Sequence, residues 1–391
     1  MPPFSRRTAW PAIPNRLALA VEAAKAAGAR ILDLSESNPT RCGLGYDEKA
    51  ILDAFSNPAI LTYAPEPSGL MVAREAVAAY YGERGTCVGA GDIVLTSSTS
   101  EAYSFLFRLL CDPGDEVLAP APSYPLFEFL ADLDDVNLAP YRLAYHDGWE
   151  IDFDSLNSAL GPRTRAIVVV HPNNPTGSYV KEWEARQLGE LCAERGLALV
   201  SDEVFLDYAH GGSAAARSLA TDSAVPTFAL SGLSKISALP QMKAAWMVAS
   251  GPKDAKAAAL KRLEIIADTF LSVSTPTQLA LPRLLEQRRT MVPRLLDRIK
   301  RNLQALDSAL SGHPTLRRLR IEGGWYAVLR VPATRCDEDV AVEVLDKQHV
   351  LLHPGHFYDF PRDGYLVLSL ITPEEVFSEG VQRGLKALAG C

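Results

Sequence analysis

Between Asp92 and Ala249, short β-branched runs alternate with longer stretches of helical period, and few folds accommodate that pattern. The runs are Ile93-Val-Leu95, Glu116-Val-Leu-Ala119, Arg165-Ala-Ile-Val-Val-Val170, Leu197-Ala-Leu-Val200 and Thr227-Phe-Ala-Leu230. Apolar strands joined by helices are buried on both faces, so the pattern predicts an α/β fold on a mostly parallel sheet flanked by helices. From Lys253 to Leu310 the chain is rich in Ala, Leu, Arg and Lys, which predicts long helices interrupted at Pro276, Pro282 and Pro293. Beyond Leu316, short strands and a helix over Glu338 to Lys347 predict a smaller α+β domain packed on the first, closed by a final helix from Pro373.

Composition removes several classes of function. With 39 basic against 47 acidic residues the net charge is −8, and no basic run exceeds two residues. A nucleic acid or an anionic membrane surface finds no footprint here. No stretch approaches the ~18 uninterrupted apolar residues of a membrane-spanning helix. The six cysteines form no CxxC pair and read as reduced thiols of a cytoplasmic protein. His353 and His356 flank a Pro-Gly pair, but no acidic or thiol cluster accompanies them, so no metal site is expected.

In open parallel sheets, ligands bind beyond the carboxyl ends of the strands, and four of these ends carry complementary chemistry. Thr96-Ser-Ser-Thr-Ser-Glu101 puts hydroxyls and free N–H groups at the start of a helix, an arrangement suited to phosphate; it is equally a capping box, Ser98-x-x-Glu101. His171-Pro-Asn-Asn-Pro-Thr-Gly177 is a rigid turn with two asparagines more than a turn needs. Ser201-Asp202-Glu203 sets a carboxylate at a strand end, where it also suits an N-cap. Ser231-Gly-Leu-Ser-Lys235 places a lysine at the sheet mouth; desolvated, it is a nucleophile for carbonyls, and solvated, it is an ordinary surface residue. A phosphate cradle, a carboxylate and a nucleophilic lysine together are what pyridoxal phosphate requires.

At these residues the sequence resembles the fold-type I, class I/II aminotransferases. The resemblance is collinear from about Leu32 to the C-terminus through Tyr63-Ala-Pro-Glu-Pro-Ser-Gly69 with Arg74, Pro113-Gly-Asp-Glu-Val117, Pro122-Ser-Tyr-Pro125, Asn173-Asn-Pro-Thr-Gly177, Ser201-Asp-Glu203 and Ser231-Gly-Leu-Ser-Lys235. It implies a seven-stranded-type sheet in a large cofactor domain over residues 46–290, and a small domain of residues 1–45 plus 291–391. It also implies pyridoxal phosphate as cofactor, amino acid and 2-oxo acid as substrates, and a homodimer with shared sites.

By the same resemblance, Lys235 is the Schiff-base lysine and proton shuttle, Asp202 pairs with the pyridine nitrogen, Asn174 bonds the phenolic oxygen and Tyr124 stacks on the ring. Ser98, Thr99 and Ser100 form the phosphate loop, joined by Lys243, and Tyr63 reaches the phosphate of the neighbouring subunit. Ser37 and Asn38 fall at the substrate side. Three positions depart from the family: Phe205 stands for a tyrosine, Lys243 for an arginine, and Val367 for the arginine that grips the substrate α-carboxylate. Arg362 and Arg330 are the nearest cations by sequence to replace it. The leading expectation is therefore an aminotransferase. The alternatives are a lyase or decarboxylase on the same cofactor and, from another class, a non-catalytic regulatory relative.

Overall fold

The computed structural model describes residues 4–11, 13–211, 216–221, 223–271 and 273–388. Its largest sheet has eight strands, in the spatial order Ile93–Thr96, Ala245–Ser250, Thr227–Gly232, Ala198–Asp202, Thr164–Val170, Glu116–Ala121, Asn137–Tyr145 and Trp149–Ile151. The central pairs are parallel, and Ala245–Ser250 runs antiparallel to both its neighbours. All five runs expected from β-branched content are strands. Seven strands make up the body of the sheet, and Trp149–Ile151 folds back on Asn137–Tyr145 as an eighth, antiparallel strand. Two apolar clusters cover the opposite faces: Val168, Val200 and Phe228 belong to one, and Ile167, Val169 and Leu199 to the other. That alternation is the period of two expected of strands buried on both sides.

The helical stretch follows the expectation in length but not in its breaks. Its helices span Lys253–Phe270, Thr275–Glu286 and Arg288–Leu310. Pro276 sits in the first turn of the second helix, where a missing N–H costs nothing. Pro282 and Pro293 do not interrupt; they lie inside helices. An interior proline disfavours a helix by about 3 kcal/mol, and here Leu281, Leu284, Leu285, Met291 and Leu295 are all buried on the same helices. Burial of several large side chains outweighs that local cost.

A second sheet of four short strands is formed by Arg317–Arg318, Tyr326–Arg330, Tyr365–Ser369 and His353–Pro354, all antiparallel. The helices Asp337–Gln348 and Glu374–Leu388 accompany it. Near the N-terminus, Leu32–Asp33 pairs in parallel with Val350–Leu351, so the start of the chain packs with its last third. Among the described residues, no helix is long and apolar enough to cross a membrane, and no three His, Cys, Asp or Glu side chains cluster as metal ligands.

Candidate active site

Four strand ends of the large sheet converge on a cavity of about 310 Å³. Ser37, Ser98, Thr99, Ser100, Tyr124, Asn174, Asp202, Lys235 and Lys243 all line it, together with Phe205 and Tyr326.

The lysine stands on the short helix Leu233–Ile236 that follows strand Thr227–Gly232. Gly232 is extended, and a Cβ there would lie 2.8 Å from Ala245 Cβ and 3.0 Å from Ala244 O. Only glycine lets the chain pass this close to its neighbour before it turns to present Lys235. Two tyrosines then brace the turn: Tyr208 donates to the Lys235 carbonyl and Tyr46 to the Ala238 carbonyl, each at 2.6 Å. The ammonium nitrogen lies 4.8 Å from the ring centre of Trp325 and 5.4 Å from that of Phe205. Loss of hydration lowers the Lys235 pKa to about 8, with Asp202 opposing the shift. A measurable fraction of this amine is therefore neutral near pH 7.

Asp202 ends strand Ala198–Asp202 and is buried. It accepts from the Tyr103 hydroxyl at 3.1 Å and the Val204 N–H at 3.2 Å, and burial raises its pKa to about 6. The bond to Val204 is a local turn, so the residue serves as an N-cap-like acceptor as well as a cavity carboxylate. Its neighbour Glu203 turns inward, accepts from Leu219 N–H and Ser201, and is raised by burial to about 7.

Both readings of the Ser98 segment hold at once. Ser98 caps helix Thr99–Leu110 by accepting from the Glu101 N–H, and Glu101 accepts from the N–H and hydroxyl of Ser97. Thr99 and Ser100 occupy the first turn, where N–H groups have no partner within the helix. Lys243 reaches the same cavity from a left-handed turn and, among the described residues, makes no ion pair. Orphan donors and an unpaired ammonium in one wall make a seat for an anion.

The two asparagines divide their work. Asn173 is held by the Pro122 carbonyl and Thr176, and is structural. Asn174 lines the cavity, and its buried side-chain oxygen has no hydrogen-bond partner. A buried amide left unsatisfied points to a polar guest. His171 is also structural: its Nδ1 accepts from the Val180 N–H, and burial lowers its pKa to about 4.

Two residues expected at the substrate side, Asn38 and Arg362, lie elsewhere. Asn38 caps the short helix Pro39–Arg41, its oxygen engaged by Thr40, and does not line the cavity. Arg362 does not line it either. Together with Arg330, Arg362 borders a separate cavity beyond the far end of strand Tyr326–Arg330, because each strand residue advances about 3.3 Å away from Tyr326. Tyr63 is 75% exposed on the outside of the chain, beside Leu271. Val367 is buried in an apolar cluster with Val328, Tyr358 and Phe360, so no guanidinium replaces it from that strand.

Two residues of the site were not anticipated. Tyr103 holds Asp202, and Tyr326 faces the cavity while bonding Ser37. Each sits in an apolar run where an aromatic residue signals only core. For Tyr326 a signal existed in strand alternation: Trp325, Ala327 and Leu329 belong to one core cluster and Val328 to another, so Tyr326 shares its face with Val328.

The chain is 26% identical over 364 residues to glutamate-pyruvate aminotransferase AlaA of Escherichia coli K12, covering 89% of this chain and 88% of that one. It is 27% identical over 372 residues to an alanine aminotransferase of Mycobacterium tuberculosis, covering 90% and 78%. The solved alanine aminotransferase of Pyrococcus furiosus superposes with a TM-score of 0.88 at 22% identity over 99% of this chain and 100% of the other, a likeness of fold. A Thermus thermophilus aspartate aminotransferase double mutant gives 0.84 at 24%, over 99% and 100%. The model of the family described as aminotransferase class I and II matches residues 38–377, and the chain belongs to that family.

Proposed function

We propose that the protein is a pyridoxal phosphate-dependent aminotransferase that moves an amino group from an amino acid to a 2-oxo acid through Lys235. One observation carries the reading: a partly neutral lysine, an unsatisfied Asn174 amide, a buried Asp202 and an unpaired Lys243 share a single cavity. Each has an ordinary explanation alone, and together they match the polar groups of one cofactor. Bound pyridoxal phosphate supplies an aldehyde that joins amines reversibly and a ring that takes up the electron pair released at the amino carbon.

The chain's own groups do the rest. Ser98, Thr99, Ser100 and Lys243 hold the phosphate. Asp202, oriented by Tyr103, keeps the ring nitrogen protonated, and a bound cation there draws its carboxyl back to the ionised form. Asn174 bonds the phenolic oxygen, and Tyr124 covers the ring. The Lys235 amine, once freed by the substrate amine, would take the proton from the amino carbon and return it across the nitrogen to the carbon that was the cofactor's aldehyde, so one residue would serve as nucleophile and base. Ser37 and Tyr326 face the substrate.

We further propose that the chain works in the cytoplasm as a homodimer, Tyr63 completing the partner's phosphate site. The cofactor domain is residues 46–290, and the small domain is residues 1–45 plus 291–391. Light scattering on the purified protein tests the dimer.

Borohydride reduction of the holoenzyme followed by peptide mapping is expected to place the cofactor on Lys235, and Lys235→Ala to abolish it. Incubation with single amino acids and no 2-oxo acid is expected to release one equivalent of 2-oxo acid per site without free ammonia. The burial of Val367 among apolar neighbours keeps a second reading in view, a lyase or decarboxylase with a different hold on the substrate. Release of ammonia or carbon dioxide in that assay selects it.

A further inference from the structure

The strand Tyr326–Arg330 has the proposed catalytic cavity at one end and a second cavity, of about 390 Å³, at the other. Three arginines line this second cavity: Arg317 and Arg362, both exposed, and the half-buried Arg330. In a chain of net charge −8, such a grouping without counter-ions is unusual. Among the described residues none of the three makes an ion pair; Arg362 Nη2 donates to the Tyr365 hydroxyl at 3.4 Å. The rim holds one carboxylate, Asp363, and its Oδ1 is taken by the Asp337 N–H at 3.0 Å.

A second observation is independent of the cavity. Arg317 and Arg330 are direct cross-strand partners in the antiparallel pair Arg317–Arg318 with Tyr326–Arg330. Like charges facing each other across a ladder destabilise it. Elsewhere on these elements the protein neutralises its arginines, as Arg318 is by both oxygens of Asp307. At 317 and 330 the repulsion stands uncorrected, beside a third arginine brought in by the turn before strand Tyr365–Ser369.

We propose that this cavity binds a compact phosphate-bearing anion of two or more negative charges. Guanidinium forks match phosphoryl oxygens with paired hydrogen bonds, and one guest of this kind relieves the cross-strand repulsion while engaging all three side chains. The volume is at the lower end of small-ligand sites, enough for a pyrophosphate group and part of what carries it. The site is separate from the Ser98–Lys243 phosphate seat and is independent of the proposed transamination.

Titration calorimetry on the holoenzyme, whose phosphate seat is already filled, tests the assignment with pyrophosphate as probe at fixed ionic strength. The expected result is one site per chain, with the dissociation constant raised at least tenfold by Arg330→Gln and by Arg317→Gln. Arg317→Glu, which supplies an internal counter-ion, is expected to abolish binding and to raise the melting temperature of the unliganded protein. Absence of binding to the wild type, or binding unchanged in the Gln variants, overturns the proposal. Binding that disappears on raising salt from 50 to 150 mM, with no difference between variants, marks general charge attraction and overturns it as well.

Discussion

At the scale of single residues the site is defined by groups whose ordinary ionisation burial has displaced. The Lys235 amine, lowered to about 8, is expected to govern capture of added cofactor by the empty enzyme. Its neutral fraction grows roughly tenfold between pH 7 and pH 9 and levels off above about pH 8. Stopped-flow absorbance after mixing with pyridoxal phosphate checks this; a rate still rising tenfold per unit above pH 9 would mean an ordinary lysine. Much of this constellation was legible beforehand, because polar residues that interrupt apolar strands have few other reasons to be there. Lys235, Asp202, Asn174 and the Ser98 segment were found that way. The strand-end reading alone did not separate Asn173 from Asn174, a choice only the family resemblance made, since which of them turns inward depends on Pro122 and Thr176. It also misdirected attention to Arg362, because nearness along the chain says nothing about which end of a strand a side chain borders.

At the scale of elements, helix Thr99–Leu110 ties the two halves of the site together. Its first turn lines the cavity at the proposed anion seat, and Tyr103, one turn on, donates to Asp202. Ser98→Ala removes the cap bond to Glu101 N–H and is expected to cost about 1 kcal/mol. Urea unfolding of the apoenzyme measures this, and a loss below a few tenths would show that the cap is not holding the helix start. Strand and helix types were read correctly where the apolar period was long. Asn137–Tyr145 escaped notice because it contains Pro140 and Arg142 and is largely half-buried, so it lacks the continuous apolar run of the central strands. Ala245–Ser250 escaped for another reason: Ala-Trp-Met-Val-Ala satisfies a helix pattern and a buried strand pattern alike, and only pairing with both neighbours decides it. Pro282 and Pro293 show the same limit, local preference yielding to burial.

For the whole molecule, two buried groups pull stability in opposite directions as pH changes. Glu203 is raised to about 7, so between about pH 4.5 and 7 the folded state holds a proton that the unfolded chain has released, and stability falls as pH rises through that window. His171, lowered to about 4, acts in the reverse direction: the unfolded chain binds the proton first, and stability falls as pH drops from 6.5 towards 4. Glu203→Gln is therefore expected to stabilise the apoenzyme at pH 8 by on the order of 2 kcal/mol and to lose that advantage by pH 5. Urea midpoints at the two pH values decide it, and an equal effect at both would assign the change to packing. The two tyrosine braces carry one more consequence. Tyr208 and Tyr46 hold main-chain carbonyls, not side chains, so the attachment point at position 235 stays fixed whatever group is grafted there. A cysteine introduced at 235 and alkylated with bromoethylamine would carry a thioether analogue of lysine in the same place, and cofactor capture is expected to return with an amine that evolution never supplied.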